Sequence, residues 1–390
     1  MEQKDIRIVF VSDFSMQGSG YLNIAAPLCN GLFNRGFQIK ALGIGYNGEP
    51  HPYNFSIIPT RNIQEVNAMI NNLQTLWKPD ILIAALDIPY QQMLFEISKK
   101  LDLPQIGITA IESGPLCLTW ALTLQRIKKV FTISQLGEDE CVKKGVNAEH
   151  LYVGVDTKAW RRAVEGEKEK VRESLGIGKD EFVILTVADN QERKNLSKAF
   201  EIVSKFKKMT KSQIRYVLVT REHCKVGWKL RDLAVDFEIN SNLMILERGM
   251  NFRQLWGIYI MSDVFLLTSK AEGLCMPILE AMSCEIPVIA TNAGALTELL
   301  KDNRGFLIDY DYVLVDPWGN SKRYMIDADK AIIAMDYVYN NRENVNKVQV
   351  TNASKYVKTR TWKKPVEQVE KSIMEIVENV KKEQTTNNPA

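Results

Sequence analysis

Short apolar runs alternate with longer amphipathic stretches along almost the whole chain, and this alternation is its strongest constraint on fold. The runs cover residues 6–12, 39–44, 81–86, 105–110, 130–134 and 151–155. They resume at 182–188, 215–220, 243–246, 264–268, 287–291 and 305–308. Most are rich in Val and Ile and lack strict apolar–polar alternation, as strands covered on both faces do. The stretches between them, such as 25–33, 64–76, 92–101 and 196–209, have helical spacing. Repeated strand–helix–strand order implies parallel, doubly wound sheets with helices on both faces, an α/β fold.

The alternation breaks at about 156–180, where a highly charged stretch (165–173) precedes Gly-Ile-Gly and a new apolar run. The break predicts two domains, 1–155 and 156–362, which a chain of 390 residues can supply with a core each. From about Val345 the chain reads as helix. The polar end, 383–390, is expected to be disordered. The 50 basic and 47 acidic residues leave a net charge of +3, too near balance to point to nucleic acid. No apolar run approaches the ~18 residues that span a bilayer, and the N-terminus lacks a signal-peptide pattern. The six cysteines are scattered with no Cys-x-x-Cys, which suits reduced thiols in a cytoplasmic protein. Three dispersed histidines, His51, His150 and His223, give little material for a metal site or a Ser-His-Asp triad.

In open α/β sheets, ligands bind beyond the carboxyl ends of the strands, so chemistry is sought in the loops there. The loop 13–21 carries Gly18, Ser19 and Gly20 before a helix. Its backbone can approach a ligand closely, and helix N–H groups favour an anion. It reads equally well as a plain turn, lacking both the third glycine of a dinucleotide fingerprint and the Gly-Lys-Ser/Thr of a P-loop. The loop 188–195 places Asn190, Arg193 and Lys194 near a helix start, where two cations can hold a diphosphate, although taken alone the loop reads more readily as a solvated basic pair.

The third loop is the most informative. It runs from Ser269 through Glu272, Gly273, Leu274, Cys275 and Met276 to Pro277 and Glu280. Gly273 allows a tight turn, and Pro277 suits a first helical turn. Glu272 can accept hydrogen bonds from sugar hydroxyls, the N–H groups of 273–276 can donate to phosphate or sugar oxygens, and Glu280 can accept both hydroxyls of a ribose. Carboxylates near a helix start also serve as dipole partners. That role does not account for their apolar setting, where a carboxylate needs a partner. A fourth loop, 290–298, repeats the pattern of strand, small residues and helix.

The segment 272–280 resembles the Glu-x7-Glu motif of retaining GT-B glycosyltransferases. The run from Ser-Asp-Val-Phe (262–265) through Glu-Gly-Leu to Pro-Val-Ile-Ala-Thr-Asn-Ala-Gly (287–294) is similar to glycosyltransferase family 4. The Gly-Ser-Gly loop, Ser134, Gly-Val-Asp (154–156) and Arg-Lys-Asn (193–195) extend the resemblance over nearly the whole chain. It implies a GT-B fold: two Rossmann-like domains facing a central cleft, with a C-terminal helix, about 363–382, packing back on the first. It further implies a nucleotide-sugar donor, such as UDP-glucose or GDP-mannose, and a glycan or lipid-linked acceptor. Glu272 would contact the donor sugar, Glu280 the ribose, Arg193 or Lys194 the diphosphate, and Gly18 and Gly20 the phosphates as the cleft closes. The expected reaction retains anomeric configuration, with no metal and no cofactor beyond the co-substrate. Asp309-Tyr-Asp311 and Asp327-Ala-Asp329 are read as surface-loop and helix-cap residues, not as metal ligands.

Three departures from that family stand out. Asp189 occupies the position usually held by Arg, leaving Arg193 to substitute or diphosphate binding to weaken. Where many members carry a first-domain His, this chain has Ile-Glu-Ser-Gly-Pro (111–115), so Glu112 either orients the acceptor or is a simple loop carboxylate. Glu285-Ile286 replaces a usual Gly before Pro287, which reads as peripheral. The competing readings are a non-catalytic sugar-nucleotide-binding protein, an epimerase and a phosphorylase; the histidines are poorly placed for the second, and the third calls for a longer chain. The basic clusters 205–211 and 126–129 are read mainly as solvated helix faces, with weak peripheral attachment to the inner membrane face as the alternative. Acceptor identity and oligomeric state are not legible.

Overall fold

The computed structural model describes residues 5–210 and 212–387, with side chains through 383. The chain divides into two compact units. The first comprises Met1–Ile111, Pro115–Gly154 and Thr361–Ala390; the second comprises Glu112–Gly114 and Val155–Arg360.

The first unit is built on a seven-stranded sheet. Its strands are β1 (Arg7–Asp13), β2 (Gln38–Ile44), β3 (Ser56–Thr60), β4 (Ile81–Ala85), β5 (Gln105–Thr109), β6 (Lys129–Thr132) and β7 (Ala148–His150). They lie in the order β3-β2-β1-β4-β5-β6-β7, all parallel, and the order reverses between β1 and β4. Val9, Val11, Leu42, Leu82 and Ala84 pack with Ile63, Val66, Ile70 and Leu73 of the helix Ile63–Leu76. This two-sided burial is why the strands read as continuous apolar runs. β3 is absent from the sequence reading because it is an edge strand carrying Pro59. β7 lies at 148–150 and not at 151–155. Leu151, Val153 and Val155 are buried, but only the Leu151 N–H still reaches β6, at Thr132 O (2.8 Å).

The helix Lys363–Asn387 belongs to this unit and packs on the helix Leu22–Asn34. Contact is close: a Cβ added at Gly31 would lie 2.3 Å from Val366 Cγ2. Arg35 pairs with Glu367 (3.3 Å) and with Glu370 beside it. Gly154 sits against the returning backbone, where a Cβ would lie 2.7 Å from Thr361 C. The helix continues past 382 to Asn387, where the sequence reading expected a disordered tail; 388–390 lie outside the described residues.

The second unit holds a six-stranded sheet of β8 (Phe182–Val187), β9 (Ile214–Thr220), β10 (Leu243–Glu247), β11 (Val264–Leu267), β12 (Val288–Thr291) and β13 (Phe306–Ile308). The order is β10-β9-β8-β11-β12-β13, all parallel, with reversal between β8 and β11. The charged stretch that marked the break is a helix, Glu167–Ser174. Its buried Arg172 pairs with Asp263 (2.7 Å), directly before β11. An antiparallel hairpin of β14 (Tyr310–Val315) and β15 (Lys322–Ile326) follows β13. The sequence reading has no hairpin here, although Tyr-Asp-Tyr-Val-Leu-Val is a strand-like run, because it takes Asp309-Tyr-Asp311 as a surface loop; in the structure the strand is exposed along its whole length. Asp311 is therefore a strand residue and not a loop residue. Asp327 caps the helix Ala328–Asn340 through the Lys330 N–H (3.0 Å).

Candidate functional site

β8 and β11 are neighbours at the point where the second sheet reverses its order, so the loops leaving their carboxyl ends lie side by side. Ligands of open α/β sheets bind at such a switch point. These are the loops 188–195 and 269–275. Thr268 Oγ1 donates to Lys194 O (3.2 Å) and Asn195 O (2.9 Å), and the Lys270 N–H donates to Arg193 O (2.9 Å). A single helical turn, Glu192–Lys194, ends at Asn195 in the left-handed region (φ 53°) before the helix Leu196–Met209. The turn presents Arg193 and Lys194 to the second loop.

There they meet Glu272, which is buried (4% exposed). Lys194 Nζ donates to Oε1 at 2.5 Å and Arg193 Nη1 to Oε2 at 2.8 Å; Arg193 Nη1 also donates to Ala271 O (2.7 Å). Burial pushes the Glu272 carboxyl up, but the charges of Arg193 and Lys194 outweigh it and hold it at about 2. Glu272 is thus a buried acceptor that is ionised at neutral pH. Past it the backbone turns through Cys275 (φ 82°) into the helix Met276–Ser283, with Pro277 in its first turn. Among the described residues, the N–H groups of Gly273, Leu274, Cys275 and Met276 donate to no protein acceptor. Four such donors at a helix start suit an anion or sugar oxygens.

Glu280 is also buried, and its Oε2 accepts from Tyr259 Oη at 2.7 Å. Burial raises its carboxyl to about 7 against the opposing pull of that hydrogen bond. Tyr259, on the helix Phe252–Ile260, was not singled out from sequence; a tyrosine in so apolar a helix needs a partner for its hydroxyl, which is the one signal available. The Cys275 thiol is pushed up to about 12 by burial, then by Glu272, so it is no nucleophile at neutral pH.

Glu112 clusters with the second unit. Its Oε1 pairs with Arg193 Nε (2.8 Å) and its Oε2 with Arg323 Nη2 of β15 (3.1 Å). Arg323 had no sequence signal, because only the hairpin brings it here. Asp189 accepts from Arg221 Nε (2.8 Å) and pairs with Arg248 (3.2 Å). Burial raises its carboxyl, but these arginines bring it below its ordinary value, so its charge is compensated. Asn190 is fully buried and braces the following loop: its Nδ2 donates to Trp228 O (2.9 Å) and its Oδ1 accepts the Trp228 N–H (2.9 Å).

The structure therefore gathers Glu272, Arg193, Lys194 and Glu112 into one ion-pair cluster, with the 273–276 backbone following Glu272 directly. Gly18, Ser19 and Gly20 lie in the first unit, in the loop after β1 at that sheet's own switch point. Gly18 has φ 95°, the Ser19 hydroxyl accepts the Tyr21 N–H (3.2 Å), and no atom lies within 4 Å of a Cβ built on Gly20. The basic clusters are largely paired: Lys205 with Glu201 and Asp329, Lys208 with Glu238, Arg126 with Glu96, and Lys129 with Glu149. Lys211 lies outside the described residues. Among those described, no three His, Cys, Asp or Glu side chains gather as a metal site, and no helix is long and apolar enough to cross a membrane.

Two doubly wound parallel sheets, each with a loop site at its switch point, define the class: this is the GT-B glycosyltransferase fold. Solved structures share the fold over nearly the whole chain. A glycosyltransferase from Rickettsia africae superposes with a TM-score of 0.76 at 16% identity, covering 96% of this chain and 99% of that one. Anabaena Alr3699/HepE in complex with UDP-glucose gives 0.72 at 16% identity, covering 96% and 100%. Residues 167–312, all within the second unit, match the model of the family described as glycosyl transferases group 1. Curated relatives include the N-acetyl-alpha-D-glucosaminyl L-malate synthase of Bacillus anthracis, 22% identical over 44% of this chain, and the putative glycosyltransferase EpsD of Bacillus subtilis, 28% identical over 40%. The matches cover 42% and 40% of those relatives' own lengths.

Proposed function

We propose that the protein is a retaining, metal-independent glycosyltransferase that moves a hexose from a nucleoside-diphosphate sugar to a glycan or lipid-linked acceptor. The observation that carries this is Glu272, buried and ionised between Arg193 and Lys194, at the head of four N–H groups without protein acceptors. Cleaving the C1–O bond of such a donor develops positive charge on the sugar and negative charge on the departing diphosphate. Arg193, Lys194 and the 273–276 N–H groups supply the compensating charge and dipoles for the diphosphate, a preorganised electrostatic contribution. Glu272 accepts sugar hydroxyls and Glu280 the ribose hydroxyls. The acceptor oxygen bonds to C1 from the face the diphosphate leaves, and its proton passes to a diphosphate oxygen. Asp189, the strongest argument against diphosphate binding, is neutralised by Arg221 and Arg248.

UDP-hexoses are the first donors to test, because the similar fold of Alr3699/HepE is known with UDP-glucose; GDP-mannose is the second. The protein is incubated with each donor, with and without EDTA, and release of free nucleoside diphosphate is measured. Release unaffected by EDTA, with NMR of the product showing the donor's anomeric configuration, is the expected result. Donor binding without release, whatever acceptor is added, would make this a sugar-nucleotide-binding protein instead.

A further inference from the structure

Arg323 reaches the cluster from the β14–β15 hairpin, which no motif in the sequence marks. It is buried (3% exposed) and lies between Asp316 (Oδ2 to Nε, 3.3 Å) and Glu112 (Oε2 to Nη2, 3.1 Å). Beyond Glu112 the charges alternate without a gap: Arg193 Nε at 2.8 Å, Glu272 at 2.8 Å from Arg193 Nη1, and Lys194 at 2.5 Å from Glu272. β15 is fixed where it enters this row. The Tyr324 N–H donates to Lys270 O (2.9 Å) and the Lys322 N–H to Gly114 O (3.1 Å), so the residues flanking Arg323 are bonded to the loops of Glu272 and Glu112. The Arg323 Nη2 also donates to Asp316 Oδ1 (3.5 Å), so the buried guanidinium is held between two carboxylates.

We propose that Arg323 is a positioning residue for donor binding, acting through Glu112. This rests on the glycosyl-transfer reading and names a further residue of that same site. Glu112 holds Arg193 by Nε and so aims its Nη atoms at Glu272 and the loop beyond. Glu112 also brings a negative charge to a site meant for a diphosphate, where a like charge opposes binding. Arg323 cancels that charge while leaving Glu112 in place to orient Arg193. Removing Arg323 leaves the row one positive charge short beside the diphosphate; removing both charges restores the balance and loses only the orientation of Arg193.

The test uses the full chain with UDP and GDP as probes, affinity being read by calorimetry for whichever binds. Arg323→Gln is expected to weaken nucleoside-diphosphate binding at least tenfold. Arg323→Gln combined with Glu112→Gln should recover most of that loss, and Arg323→Lys should retain most of the affinity. In turnover, Arg323→Gln should raise the donor KM by more than it lowers kcat. A structural role gives a different pattern: lowered melting temperature and no recovery in the double variant. Arg323→Gln within twofold of wild type, or a double variant no better than the single one, overturns the proposal. If the wild-type protein binds neither nucleotide, the glycosyl-transfer reading falls and this inference with it; wild-type binding with an inert Arg323 overturns this inference alone.

Discussion

Lys194 and Arg193 share one carboxylate, yet they are not equivalent. Arg193 is also held by Glu112 and Ala271 O, whereas Lys194 Nζ has Glu272 as the acceptor shown. Lys194 is thus the cation better able to follow a departing diphosphate. Lys194→Ala should lower kcat about 10²–10³-fold, the range for losing one preorganised charge partner. Its melting temperature should move little, because Glu272 keeps Arg193. Unchanged turnover would remove Lys194 from the reaction. Glu280 gives a prediction in pH. In the fold it keeps its proton up to about 7, against an ordinary value of 4.5. Between those values the native state binds more protons than the unfolded chain, so rising pH through that window costs stability, at most about 3 kcal/mol. Glu272 works in the opposite sense: its contribution is present above 4.5 and is lost as pH falls toward about 2. Glu280→Gln should therefore melt several degrees above wild type at pH 8 and level with it near pH 5. Its nucleotide affinity should be flat between pH 6 and 8, where the wild type binds more tightly as pH rises. A wild-type profile as flat as the variant's would end the ribose assignment. The glutamate pair was legible because its spacing lies along the chain; Tyr259 and Arg323 were not, because their partners are distant in sequence.

Elements were legible where burial is two-sided. β1, β4, β5, β8, β9 and β11 are lined by residues buried on both faces, and each appears in the sequence as an apolar run. β7 (Ala-Glu-His) has almost no apolar surface and β3 carries a proline, so neither has the pattern that marks a strand; β14 (Tyr-Asp-Tyr-Val-Leu-Val) does carry strand-forming residues, but it is an exposed hairpin strand and not part of a buried sheet. Helix contacts are harder still to foresee. The sequence holds Gly31 inside a helix, where glycine costs about 1 kcal/mol relative to alanine. The reason is the seat it leaves for Val366 on the C-terminal helix. Gly31→Ala gains that helix propensity but drives a methyl into a branched side chain, a cost of about 1–3 kcal/mol. Urea unfolding should show Gly31→Ala net destabilised. Adding Val366→Ala should make the alanine at 31 neutral or stabilising against a Val366→Ala background. Equal effects of Gly31→Ala in both backgrounds would mean that Gly31 and Val366 are not coupled.

At the scale of the whole molecule, the division into two units follows from the break in alternation, but its course does not. The chain leaves the first unit at Gly154, returns at Thr361, and lends the second unit three residues, Glu112–Gly114. Such an exchange depends on contacts between segments far apart in sequence, and no local pattern records it. It matters because Glu112 is one of those three, so a residue that looked like part of the first domain stands in the ion-pair row of the second. The consequence can be read by hydrogen exchange with a saturating nucleoside diphosphate. A ligand held by the second unit stabilises its folded state by about 2.7 kcal/mol at a hundredfold excess over Kd. Exchange should slow most at 273–276, whose N–H groups gain acceptors they lack in the protein, then at 189–195 and in the strands β8 and β11. The segment 112–114 should slow with them, although the residues on either side of it belong to the first unit. Slowing at 13–21 without any at 273–276 would move the diphosphate to the glycine loop of the first unit and leave the Glu272 cluster without its assigned ligand.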